Sequence, residues 1–288
     1  MRESREFFIQ DDGIRIHLKL DFPQDMCVEN RGPAFAETEN RGDAEKTEKA
    51  ETGITGDPEK EGRLPLMILV HGFTGDMEER HITAVQRTAN EEGFAVLRAE
   101  MYGHGKSGGG FGDHTLMKWI SNILTVIDYA RTLDFVSDLY LCGHSQGGLL
   151  TMLAGAMERD RLKAILPLSP ASMIPETARQ GELLGVSFDP DHIPPELDAG
   201  KSLTIRENYI RVAQLIDVDL AMSRYKGPVL IVHGTGDASV PYHYSQQAAA
   251  KYADARLVLN PGYTHCYDLH LDQVTEAVRA FLREMKDR

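Results

Sequence analysis

The chain has 288 residues, is 42% hydrophobic and carries a formal net charge of −13. This length suits one large α/β domain, and the hydrophobic content supports a sizeable core and argues against global disorder. The negative charge argues against nucleic acid as a partner, because phosphates would be repelled. No apolar run could span a membrane, the charged start lacks a signal peptide, and three cysteines give no disulfide framework. We therefore expect a cytoplasmic protein without a membrane partner.

The first part of the chain predicts a hairpin, an insert and the first strand of a parallel sheet. Residues 5–10 and 14–21 read as antiparallel strands around a turn at 11–13. Residues 24–63 are rich in Glu, Lys, Thr and Gly and show no sustained period. They cannot bury enough surface to offset their ordering entropy, so we expect an acidic insert that is solvated or disordered. The apolar run 66–70 is typical of a strand buried on both faces.

Helices and strands then alternate along the chain, which predicts parallel strands with right-handed crossovers. Before the central motif we expect a helix near 80–92, a strand at 94–98 and a helix with an apolar stripe over 116–127. After it we expect strands at 164–168, 229–232 and 256–259 and helices at 244–252 and 274–285.

Residues 170–226 interrupt this alternation. They contain Pro175, Pro190, Pro194 and Pro195, and one predicted helix, near 205–215. An insert of this size at the carboxyl edge of the sheet predicts a cap over a site there. The sequence thus predicts a single α/β domain over residues 1–288, with a mostly parallel central sheet flanked by helices and a small cap at 170–226.

The central motif lies in the stretch 139–150. An apolar strand runs into Gly143-His144-Ser145-Gln146-Gly147, and a helix-forming run follows at once. This order is the nucleophile elbow of the α/β-hydrolase fold, in which glycines leave room for a sharp turn that raises the serine above the sheet edge. The N–H of Gln146 would lie at the helix N-terminus and point at an oxyanion.

The same Gly-x-Ser-x-Gly pattern occurs a second time, around Ser107 in the glycine-rich loop 102–110. More glycine follows it, and no helix is predicted until after Gly112, so nothing would fix this serine or supply a helix dipole. It also does not match the phosphate-binding loop, whose pattern has glycine at the position of Glu100. We therefore interpret Ser107 as a loop residue.

A nucleophilic serine needs a base, and the base needs an orienting acid. In this fold the acid and the histidine follow the serine in the loops after late strands. Asp237 lies after the strand at 229–232, and His265 lies after the strand at 256–259. Each residue alone has an ordinary interpretation as a turn or surface residue, but order and context together predict the triad Ser145, Asp237 and His265.

The second oxyanion donor should come from the loop after the first central strand. The segment His71-Gly72-Phe73 follows that strand, so we predict the N–H groups of Phe73 and Gln146 as the oxyanion hole. His71 and the cysteines Cys142 and Cys266 are interpreted as structural. Histidine, cysteine and aspartate do not occur at metal-ligand spacing, so neither a metal nor a cofactor is expected.

With these residues placed, the chain resembles the cinnamoyl and feruloyl esterases of gut bacteria, which are α/β-hydrolases. The resemblance covers nearly the whole chain except residues 24–63. It rests on motifs that are widely shared in the superfamily, at 71–74, 103–105, 143–148 and 233–235. The match at 185–194 in the cap is more telling, and 209–214 and 265–267 also resemble the family. It implies the same triad and oxyanion hole.

The resemblance also implies a substrate site in the cap. In members of the family, an aspartate and a glutamine in the cap read the phenolic hydroxyl of the acyl group. An ungapped placement puts Thr177 and Leu184 at those positions, with Glu176 and Glu182 nearby. A pocket built to hydrogen-bond a hydroxyl discriminates strongly, whereas an apolar pocket does not.

The predicted function is a serine carboxylesterase that hydrolyses small-molecule esters through an acyl-enzyme, with aromatic hydroxycinnamoyl esters favoured. A monoacylglycerol lipase and a serine aminopeptidase on the same scaffold are the alternatives. A peptidase would need an acidic pair to hold the substrate ammonium, which Glu176 and Glu182 could form. A non-catalytic binding protein is disfavoured because the triad is complete. A homodimer is compatible with the sequence, which does not set the oligomeric state.

Overall fold

The structure is a computed structural model that describes residues 4–23, 62–200, 202–268 and 270–288. The predicted insert at 24–63 therefore lies, apart from its last two residues, outside the described residues. No described helix is long and apolar enough to cross a membrane.

The strands follow one another along the chain as β1 Ser4–Asp11, β2 Ile14–Asp21, β3 Leu64–Val70, β4 Ala95–Ala99, β5 Val136–His144, β6 Leu162–Leu168, β7 Glu182–Leu183, β8 Val186–Ser187, β9 Glu196–Gly200, β10 Leu203–Arg206, β11 Val229–Gly234 and β12 Ala255–Asn260. The α-helices are α1 Arg80–Glu91, α2 Leu116–Arg131, α3 Gln146–Met157, α4 Ile174–Arg179, α5 Glu207–Leu215, α6 Val218–Arg224, α7 His243–Lys251 and α8 Asp272–Asp287.

Within the described residues, one eight-stranded sheet runs in the order β1-β2-β4-β3-β5-β6-β11-β12. The β1–β2 hairpin and the β2–β4 pair are antiparallel, and the remaining neighbours are parallel. The central strands are apolar on both faces because helices cover both sides. This architecture confirms the predicted α/β-hydrolase fold.

The helices form one layer on each face of the sheet. On one face α1 and α8 pack together, with Ile82, Val85, Val278 and Phe281 in the core. On the other face α2 and α3 pack together, with Trp119, Ile123 and Leu149 in a larger core. Helix α3 is apolar around its whole circumference, which fits its position between the sheet and the outer helices. Gln146, the first residue of α3, is therefore buried next to the sheet.

Between β6 and β11 the chain leaves the sheet. Residues 170–226 form α4, two small hairpins (β7–β8 and β9–β10), α5 and α6. The helix predicted near 205–215 begins only at Glu207, because Ile205 and Arg206 pair with Leu197 and Glu196 in the β9–β10 hairpin. A second difference lies near Gly112, where Phe111–Asp113 form a single 3₁₀ turn before α2 begins.

Candidate active site

Ser145 lies at a sharp turn between β5 and α3. Its backbone is in a left-handed conformation, with φ 57° and ψ −118°, which is rare for a residue with a side chain. A Cβ at Gly143 would overlap the backbone of Gly147, and one at Gly147 would overlap the carbonyl oxygen of His71. Hydrogen bonds from Ser145 N to Leu168 O (2.9 Å) and from Ala171 N to Ser145 O (3.0 Å) fix the strained turn.

Ser145, His265 and Asp237 form one chain of hydrogen bonds. The Oγ of Ser145 lies 2.9 Å from Nε2 of His265, and Nδ1 of His265 lies 2.6 Å from Oδ2 of Asp237. Because the carboxylate accepts the Nδ1 hydrogen, Nε2 carries the lone pair that faces the serine hydroxyl. The structure therefore brings together the three residues predicted as the triad, in an arrangement suited to nucleophilic catalysis.

The Asp237 carboxylate accepts four hydrogen bonds. Its Oδ1 accepts from the backbone N–H groups of Ser239 and Val240, both at 2.8 Å. Its Oδ2 accepts from His265 and also from Nε2 of His233, at 3.1 Å. Burial raises the pKa of Asp237, but the hydrogen bonds from His233 and His265 outweigh burial and hold this pKa well below its ordinary value. The carboxylate of Asp237 is thus ionised at neutral pH.

Two backbone N–H groups adjoin the serine where the oxyanion hole is predicted. Gln146 is the first residue of α3, so its N–H has no acceptor within the helix. The N–H of Phe73 has no hydrogen-bond acceptor among the residues that the structure describes. The carbonyl of Phe73 accepts a hydrogen bond from His104, and Tyr209 donates to the Gln146 side-chain oxygen at 2.6 Å. Both peptides are therefore held in place while their N–H groups remain available.

His71 holds the loop that contains Phe73. Its Nδ1 donates to the carbonyl of Gly72 at 2.7 Å, and its Nε2 accepts from the N–H of Met101 at 3.1 Å. Burial, with a smaller contribution from the nearby His104, lowers the pKa of His71 to about 3. A neutral imidazole with both nitrogens engaged serves as a structural link between two loops.

The second copy of the Gly-x-Ser-x-Gly pattern, around Ser107, is hydrogen-bonded to the β1–β2 hairpin. The Ser107 hydroxyl donates to the carbonyl of Glu100 at 2.6 Å and accepts from the N–H of His17 at 2.8 Å. Both hydrogen bonds of the Ser107 hydroxyl therefore connect the glycine-rich loop to neighbouring backbone, one of them to β2. No triad partner contacts Ser107 among the described residues.

Ser145 and His265 lie at the bottom of a cavity of about 690 Å³, called here the catalytic pocket. Its walls include Phe73, Ile174, Leu183 and Val240, as well as Thr177 and Leu184, which were predicted to bind the substrate. A second cavity of about 450 Å³, the outer cavity, lies on the far side of α4.

Glu176, predicted together with Thr177, lines the outer cavity and not the catalytic pocket. Consecutive residues of a helix point about 100° apart, so one of the two faces away from the serine. Glu182 does line the catalytic pocket, so the two glutamates lie on different sides of α4. Candidate metal sites built from His, Cys, Asp or Glu are absent from the described part of the chain.

Two histidines beside the triad were not predicted as part of the site. His233, at the end of β11, donates to Asp237, and His144, inside the elbow motif, donates from Nε2 to the carbonyl of His265 at 2.9 Å. His233 precedes Asp237 by four residues, and that spacing is a signal the sequence contains. His144 occupies a variable position of the elbow pattern, which carries no such signal.

Two family models match the chain. One, described as serine aminopeptidase, S33, matches residues 64–190, and the other, a TAP-like protein, matches residues 212–287. Together with the sheet order and the elbow, these matches define the class of the protein as an α/β-hydrolase.

The group within this class is identified by Est1E from Butyrivibrio proteoclasticus. A structure of Est1E with ferulic acid bound is 51% identical to this chain, covers 98% of this chain and 100% of that one, and has a TM-score of 0.84. A second Est1E structure is 49% identical over 98% and 99% of the two chains, with a TM-score of 0.81. The chain therefore belongs to the cinnamoyl and feruloyl esterase-like group of the α/β-hydrolases and is a carboxylic ester hydrolase.

A more distant relative is the mitochondrial palmitoyl-protein thioesterase ABHD10 of Pongo abelii. It is 25% identical over 197 residues, which is 65% of this chain and 62% of that protein. The chain thus spans less than two thirds of the length of this curated relative. The mouse ABHD10 structure is 17% identical, with a TM-score of 0.64 over 98% and 97% of the two chains, and shows a shared fold.

Proposed function

We propose that Ser145, His265 and Asp237 hydrolyse carboxylic esters through an acyl-enzyme, with the N–H groups of Phe73 and Gln146 as the oxyanion hole and with aromatic acyl groups of the hydroxycinnamoyl type favoured. The observation that carries this proposal is the hydrogen-bond chain from Ser145 Oγ through the His265 imidazole to Asp237 Oδ2, with distances of 2.9 and 2.6 Å, at the bottom of the catalytic pocket.

The first half of the reaction forms the acyl-enzyme. Ser145 Oγ attacks the ester carbonyl carbon while His265 Nε2 takes the hydroxyl proton. The carbonyl oxygen becomes negatively charged and is stabilised by the N–H groups of Phe73 and Gln146, the latter reinforced by the positive end of α3. When the tetrahedral intermediate collapses, the bond to the alcohol oxygen breaks and His265 returns its proton to that oxygen.

The second half releases the acid. A water molecule enters beside His265, which takes one proton from it as the water oxygen attacks the acyl carbon. The same two N–H groups stabilise the second oxyanion, and collapse then breaks the bond to Ser145 Oγ, which recovers its proton from His265. Asp237 keeps the Nδ1 hydrogen in place and stabilises the imidazolium in both halves.

The walls of the catalytic pocket support an aromatic acyl group. Phe73, Ile174 and Val240 supply apolar surface, and a structure of the 51% identical Est1E has ferulic acid bound. The Thr177 hydroxyl donates to carbonyl oxygens of its own helix, at 3.3 Å each, so it can offer a substrate only its lone pairs. We propose that residues 170–226 act as a cap and that Thr177 and Leu184 border the acyl group.

The aminopeptidase alternative receives less support. A peptidase would need paired carboxylates to hold a substrate ammonium, and Glu176 and Glu182 are the candidates. Glu182 borders the catalytic pocket, whereas Glu176 borders the outer cavity and accepts a hydrogen bond from Gln180 at 3.3 Å. One exposed carboxylate alone is a weak ammonium site.

Substitution of the nucleophile tests the catalytic part of the proposal. Ser145→Ala should abolish hydrolysis of methyl ferulate and leave the thermal unfolding midpoint close to that of the wild type. Ser107→Ala is the matched control, because it removes the serine from the second copy of the motif and should leave the turnover number largely unchanged. Turnover retained by Ser145→Ala would refute the assignment.

A substrate panel tests the acyl preference. We would compare kcat/KM for methyl ferulate, a short p-nitrophenyl ester, a monoacylglycerol, a palmitoyl thioester and an aminoacyl amide. The proposal expects the highest value for methyl ferulate. A higher value for the thioester or the monoacylglycerol would refute the aromatic preference but keep the esterase mechanism, whereas cleavage of the amide alone would refute both.

A further inference from the structure

His233 shares the carboxylate oxygen that His265 uses. Its Nε2 lies 3.1 Å from Asp237 Oδ2 and 3.0 Å from the carbonyl oxygen of Val240, and its side chain is fully buried. Both neighbours are acceptors, so Nε2 must carry the hydrogen. The aspartate oxygen that orients the catalytic imidazole therefore also receives a hydrogen bond from a second imidazole.

The other nitrogen of His233 is engaged as well. The hydroxyl of Ser245, at the start of α7, lies 2.6 Å from His233 Nδ1 and contacts no other acceptor in the described part of the chain. The hydroxyl therefore donates to Nδ1, and His233 is held as the neutral Nε2–H tautomer. A neutral donor withdraws charge from Oδ2 without adding a second cation beside the imidazolium that forms on His265.

The orientation of Asp237 does not depend on His233. The backbone N–H groups of Ser239 and Val240 hold the other carboxylate oxygen at 2.8 Å each. Loss of the His233 hydrogen bond would thus leave the carboxylate in place, and His265 would become the only imidazole that donates to Oδ2. A stronger carboxylate partner favours the protonated imidazole.

We propose that His233 is a positioning residue that acts through Asp237 and weakens the hold of this carboxylate on His265, so that the catalytic base is free at lower pH than an unshared triad would allow. This proposal rests on the proposed roles of Asp237 and His265. Its consequence is that His233 sets the acidic limb of the pH–rate profile, and not the rate on the plateau.

Three further groups near Asp237 have pKa values far from neutral, namely His144, Tyr267 and His81. His144 and Tyr267 approach it from the end of β5 and from the loop after β12. Burial, then His81 and His265, hold the pKa of His144 well below its ordinary value, and burial raises the pKa of Tyr267 far above its own. Burial and then His265 lower the pKa of His81, next to His144, to about 4. His144, Tyr267 and His81 therefore do not add a limb near neutral pH to the rate profile.

Two amide variants separate the two nitrogens of His233. The amide nitrogen of Gln can take the place of Nε2, and that of Asn the place of Nδ1. His233→Gln should keep a donor to Asp237, whereas His233→Asn keeps a partner for Ser245 but is too short to reach Asp237. The measurement is kcat/KM for methyl ferulate as a function of pH, with the thermal unfolding midpoint recorded for each variant.

We expect the midpoint of the acidic limb to move to higher pH by about half to one unit in His233→Asn, while the alkaline plateau stays within a few-fold of the wild type. His233→Gln should keep the wild-type midpoint. Tyr225→Phe is the control for a lost buried hydrogen bond. Tyr225 donates to the carbonyl of Leu162 at the first residue of β6, at the opposite end of the sheet from Asp237. This control should lower the unfolding midpoint without moving the limb.

An unchanged limb in a folded His233→Asn variant, or a limb that moves to lower pH, would overturn the proposal. If His233→Asn does not fold, a His233→Gln limb that has moved by as much as half a unit, in either direction, would also overturn it, and an unmoved limb would support it. Failure of the proposed function is distinguishable, because it would appear as turnover retained by Ser145→Ala.

Discussion

Replacement of Asp237 by asparagine is the sharpest test of the triad geometry. Oδ1 of Asp237 accepts hydrogen bonds from the N–H groups of Ser239 and Val240 at 2.8 Å, so the amide oxygen of an asparagine must occupy that position. The amide nitrogen then takes the place of Oδ2 and faces His265 Nδ1, which lies 2.6 Å away in the wild type. Neither His265 Nδ1–H nor His233 Nε2–H can donate to this nitrogen. His233 keeps the carbonyl oxygen of Val240 as its acceptor, at 3.0 Å, whereas His265 loses its acceptor.

The imidazole resolves this conflict by changing its tautomer. His265 accepts the amide hydrogen at Nδ1 and moves its own hydrogen to Nε2, which then has no lone pair for the proton of Ser145. A triad that loses its base in this way loses about 10⁴ in kcat. At about 1.36 kcal/mol per tenfold change, this corresponds to ~5.4 kcal/mol of transition-state stabilisation.

The assay is the turnover number of Asp237→Asn with methyl ferulate under saturating conditions, checked by thermal unfolding. Asp217→Asn is the control, because Asp217 accepts a hydrogen bond from Leu220 N at 2.9 Å as the N-cap of α6, and asparagine caps a helix equally well. A kcat within tenfold of the wild type for Asp237→Asn would refute the inferred tautomer and the role of the backbone N–H pair.

Two further predictions concern stability. Tyr209→Phe removes the buried donor to the Gln146 side chain, and we expect the free energy of unfolding, measured in urea, to fall by about 1–3 kcal/mol. The loss of kcat should be much smaller than in Asp237→Asn, because the Gln146 N–H remains. An unchanged free energy of unfolding would contradict this prediction. Hydrogen bonds from Arg283, opposed by burial and helped by Arg279, lower the pKa of Glu92, so its contribution is present at neutral pH and is lost as the pH falls through the lowered pKa. Glu92→Gln should therefore destabilise the protein more at about pH 7 than at about pH 3 in urea unfolding, and an equal effect at both would refute the linkage.

The elbow and the triad order could be predicted because their signals are local. A strand, a tight turn and a helix in direct succession need glycine on both sides of Ser145, where added side chains would meet the backbone. The same local context separates Ser145 from Ser107, whose hydroxyl is committed to Glu100 and His17. Residues in such contexts can be interpreted from their neighbours in the sequence.

The cap and the triad surroundings depend on contacts between distant parts of the chain. Whether Glu176 or Thr177 faces the serine is set by the rotation of a six-residue helix, which α5 fixes through Arg179 and Gln214. The start of α5 was predicted two residues early because a hairpin partner holds Ile205 in β10. The packing of α4 on α5 and the pairing of β9 with β10 have no local sequence signal.

Residues with a local sequence signal and residues placed by long-range contacts also have different parts in the proposed function. The residues to which we assign acyl transfer, Ser145, His265 and the N–H groups of Phe73 and Gln146, lie at the end of β5, at the start of α3 and in the loops after β3 and β12, so their positions depend on backbone geometry. Residues 170–226 contribute part of the wall of the catalytic pocket, including Ile174 and Thr177 of α4 and Leu184 of the turn between β7 and β8. Substitutions there can change the acyl group that fits without moving Ser145 or His265. A protein solved with ferulic acid bound and one named a thioesterase can therefore share this scaffold, and the acyl preference of this chain must be inferred from its own side chains, such as Thr177.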